Sequence, residues 1–277
     1  MDKKTSVVAL CCSLFTASAG FAQEVPGTAL TPGAGYVALG SSFAAGPGIA
    51  DQLGGCGRSD HNYSHLIADQ LGLMLTDVSC NGATTANILD TPQAGAAPQI
   101  DAVSRDTALV TVTIGGNDIN YTSSTFACSG TDPAENCAGN LDQAAINEAV
   151  SQLPSRLGLM LDSVRAKAPE ATIVLVTYPR VFPEDAESCG ELELSAADTD
   201  YLAALGQKLE DAFVRATTGR QVLIADAYVG DAGHGPCAAD ARWVNGATVV
   251  EDGIRYHPTG EGHAEMARLV LAALRRN

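Results

Sequence analysis

Residues 36–46 of this chain read YVALGSSFAAG. Four residues typical of a buried strand lead into Gly40-Ser41-Ser42, and small residues that a helix tolerates follow. The stretch therefore predicts a strand that ends at a serine where a helix begins. Helix N-termini favour negative charge, so an oxyanion that forms beside Ser42 would be stabilised there. Gly-Ser-Ser is also ordinary turn chemistry, and its function depends on what the rest of the chain brings to it.

The composition predicts a large hydrophobic core and limits the partners. The chain has 277 residues, of which 46% are hydrophobic and 17% are charged. Its formal net charge is -16 and its isoelectric point is about 4.5. Because such a chain repels phosphates, nucleic acid and anionic membrane surfaces are disfavoured as partners. Neutral lipids and esters are not excluded.

The first residues have the pattern of a secretory signal. Lys3 and Lys4 precede a short apolar run at residues 7–15, and a small-x-small site ends at Ala22. We therefore expect a signal peptide at residues 1–22 and a secreted or periplasmic protein. A lipoprotein site at Cys11 or Cys12 is disfavoured by the residues in front of each cysteine.

The remainder of the chain is expected to form an N-terminal tail and one domain. The tail covers residues 23–35, which are rich in Pro, Gly and Thr, and the domain covers residues 36–277. The apolar run of the signal is too short to span a bilayer, and no later stretch is long and apolar enough. We expect a monomer with no transmembrane segment.

Six cysteines remain once the signal is removed, and an even number in a secreted chain suggests disulfides. Six cysteines allow 15 connectivities. Local order favours pairs of neighbours in the sequence: Cys56–Cys80, Cys128–Cys137 and Cys189–Cys237. A zinc site is disfavoured because no C-x-x-C pair occurs, and no metal or cofactor is expected.

Strand and helix patterns alternate along the chain. This alternation predicts an α/β fold, with a parallel sheet of about five strands and helices on both faces. Residues 122–140 are predicted to be a polar surface loop, Pro154 to break or kink a helix, and Pro258 to lie just inside the last helix. The predicted strands cover residues 36–39, 73–80, 108–114, 171–177 and 221–226.

Four polar groups follow strands of this sheet, where ligands bind in parallel α/β folds. Ser42 carries a hydroxyl that can attack a carbonyl carbon, and His257 can take the proton of that hydroxyl. The N–H groups of Ser42 and Gly82 and the amide of Asn117 are candidate donors to the resulting oxyanion. Together these groups predict an acyl-transfer site.

The same residues resemble a known family. The segments Gly40-Ser41-Ser42-Phe43, Gly115-Gly116-Asn117-Asp118 and His257-Pro258, with Gly82, resemble in order and spacing the sequence blocks of the SGNH (GDSL-type) hydrolases. The branch that this chain most resembles is that of secreted actinobacterial-type lipases and esterases. The resemblance implies a flavodoxin-like three-layer α/β/α sandwich, three sequential disulfides, a Ser42 nucleophile, a His257 base, and oxyanion donors at Ser42, Gly82 and Asn117.

Two positions depart from the family pattern. Ser41 stands where the family has aspartate, which puts the support of the turn in doubt and raises Ser41 as an alternative nucleophile. Ile254 stands where the family carries the acid that orients the histidine. Asp252 is one alternative, and a backbone carbonyl of Ile254 or Arg255 is the other. We expect the carbonyl, which would stabilise an imidazolium less than a carboxylate does.

The sequence therefore predicts a secreted serine carboxylester hydrolase, an esterase or lipase that acts through an acyl-Ser42 intermediate on a small-molecule or lipid ester. A carbohydrate acetyl esterase is an alternative within the same chemistry. An inactive ester- or glycan-binding module on the same fold is an alternative from another class, and the departures at Ser41 and Ile254 favour it.

Overall fold

The computed structural model describes residues 30–132, 135–183, 189–230, 233–238 and 242–276. The predicted signal peptide and the first part of the predicted tail lie outside the described residues. Described strands are β1 Gly35–Gly40, β2 Gln52–Leu53, β3 Arg58–Ser59, β4 Met74–Asp77, β5 Thr107–Thr113, β6 Thr172–Val176 and β7 Leu223–Ala225. Described α-helices are α1 Ser42–Ala45, α2 Tyr63–Leu71, α3 Thr85–Leu89, α4 Tyr121–Cys128, α5 Cys137–Asn140, α6 Gln143–Lys167, α7 Ala196–Thr217, α8 Ala227–Gly230 and α9 Gly260–Arg276.

Five strands form one parallel sheet in the order β4-β1-β5-β6-β7. Counting only these strands along the chain, the order is 2-1-3-4-5, which is the flavodoxin-like arrangement. All seven residues of β5 are buried, as expected for a central strand covered on both faces. The predicted fold class is confirmed.

Alternate residues of β1 serve two separate cores. Val37 and Leu39 pack in the core that contains the apolar stripes of α6 and α7. Tyr36 and Ala38 pack in the opposite core, with residues of α2 and α9. Successive side chains of a strand point to opposite faces, so the strand needs apolar residues at every position, as residues 36–39 provide. The result is the predicted three-layer α/β/α sandwich.

The three sequential disulfides are present. Cys56–Cys80, Cys128–Cys137 and Cys189–Cys237 join Cα atoms that lie 4.5, 5.5 and 5.8 Å apart. The predicted pairing is confirmed.

One prediction about the helices was wrong, and of the break or kink predicted at Pro154 the structure contradicts the break. The segment predicted as a polar loop contains α4 and α5, and α6 runs from Gln143 to Lys167 with Pro154 inside it. A proline in a helix interior costs roughly 3 kcal/mol. The buried stripe that includes Leu153, Leu157 and Leu161 offsets this cost by packing on the core.

The start of the last helix also differs from the prediction. Helix α9 begins at Gly260, and Pro258 precedes it in an isolated bridge with Val244. The N–H of Gly260 donates to the carboxylate of Asp252 at 2.9 Å, and the N–H of Gly262 donates to the Thr259 hydroxyl at 3.1 Å. Because side chains cap the helix there, a proline in its first turn is not needed.

Candidate active site

The candidate site lies where β1 and β5 end side by side. Helix α1 begins at Ser42, directly after β1, and the N–H of Ser41 donates to the carbonyl of Thr113 at the end of β5 at 2.9 Å. In this strand order, β1 and β5 are the pair whose connections leave the sheet in opposite directions, which opens a crevice between them. The sheet therefore presents Ser42 at its ligand-binding edge.

Ser42 and His257 are in contact. The Oγ of Ser42 lies 2.8 Å from Nε2 of His257, and Nδ1 of His257 lies 2.8 Å from the carbonyl oxygen of Arg255. A carbonyl can only accept, so Nδ1 carries the proton and Nε2 is left to accept from the Ser42 hydroxyl. The Ser42 hydroxyl, the His257 imidazole and the Arg255 backbone carbonyl thus lie in the order hydroxyl, base and base-orienting acceptor that acyl transfer uses.

Burial sets the protonation state of this histidine. His257 is 1% exposed and Ser42 is 2% exposed. Burial lowers the pKa of His257 to about 4, although the hydrogen bond to the Arg255 carbonyl acts in the opposite direction. The imidazole is therefore neutral at physiological pH and is able to accept a proton.

The three candidate orienting residues have separate contacts. The carboxylate of Asp252 accepts from Gly260 N–H at the start of α9, and the carbonyl of Ile254 accepts from His257 N–H at 3.3 Å. Only the Arg255 carbonyl is in contact with Nδ1 among these three groups. The geometry thus favours the carbonyl alternative over the Asp252 carboxylate.

The candidate oxyanion donors surround the same edge. Asn117 opens a short 3₁₀ turn after β5, and its Nδ2 donates to the carbonyl of Ala83 at 2.9 Å. This bond ties Asn117 to the loop of Gly82, whose φ of +79° suits glycine. Among the described residues, no group accepts from the backbone N–H of Ser42 or of Gly82. These N–H groups are free to donate to a ligand.

Tyr178 is a residue of the site that the sequence analysis missed. Its hydroxyl lies 3.0 Å from Oγ of Ser41 and accepts from Gly116 N–H at 3.1 Å, so it joins the turn of Ser42 to the loop of Asn117. Its ring packs on Phe43, with centroids 4.4 Å apart, and Phe43 in turn packs on His257 at 4.7 Å. The available signal was its position at the end of β6.

Tyr178 also accounts for the departure at Ser41. Burial raises the pKa of Tyr178 to about 12, so its phenol stays protonated and can serve as both donor and acceptor. The Ser41 hydroxyl meets this phenol without adding a charge at a position that is 0% exposed. The turn is thus supported by a neutral hydrogen bond.

The other buried histidine has a structural contact. His263 accepts from Tyr63 N–H at 3.1 Å through Nδ1, and burial lowers its pKa to about 3. The ring of His234 stacks on Trp243 with centroids 4.2 Å apart. We assign neither histidine a role in the chemistry.

Metal-ligand side chains come together once in the described ranges, at Cys128, Cys137 and Asp198. The two sulfurs form a disulfide, and the Asp198 carboxylate accepts from Ala138 N–H and the Ser195 hydroxyl. This group is therefore committed to structural bonds. None of the described helices has the length and apolar character needed to cross a bilayer.

A flavodoxin-like sheet with a buried serine–histidine pair at its carboxyl edge has the arrangement that serine-type acyl transfer requires. The comparisons with known proteins agree. Residues 38–265 match the model of the GDSL-like Lipase/Acylhydrolase family. The chain is 35% identical over 258 residues to Lipase 2 of Streptomyces coelicolor, which covers 88% of this chain and 87% of the relative.

Two solved structures are also similar. An extracellular lipase from Streptomyces rimosus shares 27% identity with a TM-score of 0.71, covering 86% of this chain and 98% of that one. A phospholipase A1 from Streptomyces albidoflavus shares 26% identity with a TM-score of 0.72, covering 87% of this chain and 99% of that one. The chain belongs to the GDSL-like lipase/acylhydrolase family and is a carboxylic ester hydrolase.

Proposed function

We propose that this protein hydrolyses esters through a covalent acyl-Ser42 intermediate, with His257 as the general base. The supporting observation is the 2.8 Å contact between Ser42 Oγ and His257 Nε2, in an imidazole whose Nδ1 is held by the Arg255 carbonyl. The hydroxyl oxygen attacks the carbonyl carbon while its proton moves to Nε2. The tetrahedral intermediate then expels the alcohol, which takes that proton.

Hydrolysis of the acyl-Ser42 intermediate by water completes the cycle. His257 removes a proton from a water molecule, and the oxygen of that water attacks the acyl carbon. The second tetrahedral intermediate releases the acid and returns the proton to Ser42 Oγ. One residue thus acts as base and acid in alternation, which a neutral resting imidazole permits.

Three donors are proposed to hold the oxyanion in both steps. They are the N–H groups of Ser42 and Gly82 and the side-chain amide of Asn117. The Ala83 carbonyl occupies one amide hydrogen of Asn117, so its second hydrogen is the one offered to substrate. Each such donor typically contributes about 10²–10³ in turnover.

A neutral carbonyl as orienting group has a cost and a benefit. It stabilises the imidazolium less than a buried carboxylate would, so we expect modest turnover. It also leaves the pKa of His257 low, at about 4, so the base remains unprotonated in mildly acidic surroundings.

The substrate class is proposed to be small neutral acyl esters or neutral lipid esters, handled by a secreted, monomeric enzyme. The formal net charge of -16 disfavours anionic lipid surfaces. The similar proteins named lipase and phospholipase A1, one of them extracellular, support an ester of a lipid, and the signal-like N-terminus supports secretion.

Covalent labelling tests this proposal. The mature protein would be treated with a fluorophosphonate and the tagged peptide mapped by mass spectrometry, alongside Ser42→Ala, His257→Ala and the buried-serine control Ser64→Ala. We expect a tag on Ser42 that is lost in the first two variants and kept in the third. A tag on Ser41, or none on the parent protein, would contradict the assignment, and the latter would favour a binding module.

If Ser42 is labelled, a panel of p-nitrophenyl esters, a neutral lipid ester and acetylated xylan separates the substrate classes. We expect turnover of the short acyl and neutral lipid esters to exceed that of the acetylated carbohydrate. The reverse ranking would replace the proposal with the carbohydrate acetyl esterase alternative.

A further inference from the structure

The residue that precedes His257 has an unfavourable backbone conformation. Tyr256 has a φ of +56°, in the left-handed region that costs a bulky residue of order 1–3 kcal/mol. The described chain has three other non-glycine residues with positive φ, and all three are exposed, whereas Tyr256 is 1% exposed. A buried tyrosine held in this conformation implies that surrounding contacts impose it.

This conformation positions the acceptor of the histidine. It turns the chain so that the Arg255 carbonyl meets Nδ1 of His257, two residues later, at 2.8 Å. Backbone bonds fix both sides of the turn: Tyr256 N–H donates to Gly246, and His257 N–H donates to Ile254. A hydrogen bond between groups only two residues apart depends on the dihedral angles of the residue between them, which here is Tyr256.

The phenol of Tyr256 has two hydrogen-bond partners. Its oxygen lies 2.6 Å from the Leu192 carbonyl and 2.6 Å from Oγ of Ser129. A carbonyl cannot donate, so the phenol donates to Leu192, and its hydroxyl is also directed at Oγ of Ser129. These partners belong to two loops that are themselves joined by the bond from Gly130 N–H to the Glu193 carbonyl.

Disulfides and an aromatic ring complete this support. Ser129 follows Cys128 of one disulfide, and Leu192 lies three residues after Cys189 of another. The ring of Phe126 contacts Tyr256 edge-on at 5.8 Å and stacks on His257 at 6.1 Å. The phenol therefore links the two disulfide-bound loops to the residue that turns the chain before His257.

We infer that Tyr256 is a positioning residue: its phenol, held by Leu192 and Ser129, maintains the left-handed turn that places the Arg255 carbonyl on Nδ1 of His257. This inference rests on the proposed role of His257 as base. It explains how the His257 imidazole is oriented although position 254 is an isoleucine and not an acidic residue. The rigid turn holds the Arg255 carbonyl in the place that a carboxylate side chain would otherwise take.

The test uses Tyr256→Phe, which keeps the ring and removes both phenol bonds. We expect kcat to fall about tenfold with KM unchanged, the size of effect that losing a buried hydrogen bond can produce. Nitrogen-15 NMR of the imidazole should change from a single Nδ1–H tautomer to a mixture. Tyr36→Phe is the matched control, since Tyr36 is also buried and its phenol bonds Thr111 at 2.7 Å within the sheet.

Ser129→Ala provides a second, milder variant that leaves residue 256 intact. We expect it to lower kcat in the same sense by a smaller factor. The inference is overturned if Tyr256→Phe and Ser129→Ala keep the parent kcat and the single Nδ1–H tautomer, even where they lose stability as Tyr36→Phe does. The tautomer readout needs no turnover, so it stays decisive if the parent fails to label at Ser42, the result that would instead refute the proposed function.

Discussion

The two halves of the candidate site are built in different ways. Ser42 follows a central strand, and the turn around it is fixed by bonds to neighbouring strands and loops, including the Gln99 side chain that donates to the Gly40 carbonyl and accepts from its N–H. His257 lies in residues 242–259, which contain no helix or strand apart from the single bridge between Val244 and Pro258. The nucleophile is held by regular structure and the base by individual contacts.

The irregular half relies on individual side-chain and backbone hydrogen bonds, within its own segment and to other loops. Asn245 donates to the Asp252 carbonyl at 2.7 Å, and Gly253 N–H donates to the Gly48 carbonyl at 2.9 Å. Each of these bonds can be lost without disturbing the sheet. The comparison teaches that substitutions around His257 can misplace the base while the fold persists, whereas substitutions beneath Ser42 also affect stability.

The largest effect should come from the oxyanion side of the sheet edge. Asn117→Ala removes the proposed side-chain donor, and we expect kcat to fall by about 10²–10³ with little change in KM. Turnover of p-nitrophenyl acetate measures this effect. Asn147→Ala on the exposed face of α6 is the control and should keep parent turnover. A fall of less than tenfold for Asn117→Ala would remove this side chain from the oxyanion site.

The base side is tested by pH. Because burial lowers the pKa of His257 to about 4, the acid limb of kcat/KM should have its midpoint near that value. At pH 5 an imidazole with an ordinary pKa near 6.5 would be about 3% neutral, whereas an imidazole with a pKa of about 4 is mostly neutral. The enzyme should therefore be roughly 30-fold more active at pH 5 than it would be with an ordinary histidine as base. A pH–rate profile on a neutral ester measures the midpoint. A midpoint near 6.5 would mean that His257 is solvated when it acts.

The next largest effect is expected at Tyr178, whose hydroxyl joins the turn of Ser42 to the loop of Asn117. Tyr178→Phe removes the partner of Ser41 and leaves the buried N–H of Gly116 unpaired, which costs about 1–3 kcal/mol of the free energy of unfolding. We expect kcat to fall about tenfold as well, since Ser42 and Asn117 lose a shared support. Denaturant unfolding and turnover would be measured together.

The comparison with Tyr256→Phe sharpens the contrast between the halves. Tyr178→Phe should lower both stability and kcat, while Tyr256→Phe should act more on kcat and on the imidazole tautomer. Equal losses of stability with equal losses of turnover in the two variants would contradict the division into a regular and an irregular half.

The sequence predicts the regular half well. Residues 36–39 and 108–114 are apolar throughout, so their strands, their burial and the edge where they end follow from local patterns. Ser42 and Asn117 could be placed at that edge because each follows its strand within four residues. The disulfide pairing followed from order along the chain, because each bridge joins two cysteines that are neighbours in the sequence.

The contacts of the irregular half and the role of Tyr178 were not predictable in this way. Tyr178 and Ser41 are 137 residues apart, and no periodic pattern connects them. Tyrosine has no preference for the left-handed region, so the conformation of Tyr256 is set by tertiary contacts. The choice between Asp252 and a carbonyl also depended on where α9 begins, because the Asp252 carboxylate bonds the N–H of Gly260 at the start of that helix. The proline pattern places the helix start two residues earlier.

The smallest predicted effect concerns a buried carboxyl group that has no part in the proposed chemistry. Glu210 on α7 is 8% exposed, and its Oε2 has no hydrogen-bond partner within the described chain. Burial, followed by the charges of Asp226 and Asp211, raises its pKa to about 7, while a hydrogen bond from Thr177 and the charge of Arg180 oppose the shift. The folded protein therefore holds this proton at pH values where the unfolded chain has released it.

The sign of the resulting pH dependence follows from that difference. As pH rises from about 4.5 to about 7, the unfolded state loses the proton first, so the contribution of Glu210 to stability declines and stays low above the folded pKa. Glu210→Gln should have parent-like stability at pH 4 and a melting temperature a few degrees higher at pH 8, with kcat unchanged. Glu148→Gln on exposed α6 is the control and should show no such dependence. A gain of equal size at both pH values would mean that the buried charge is not its cause.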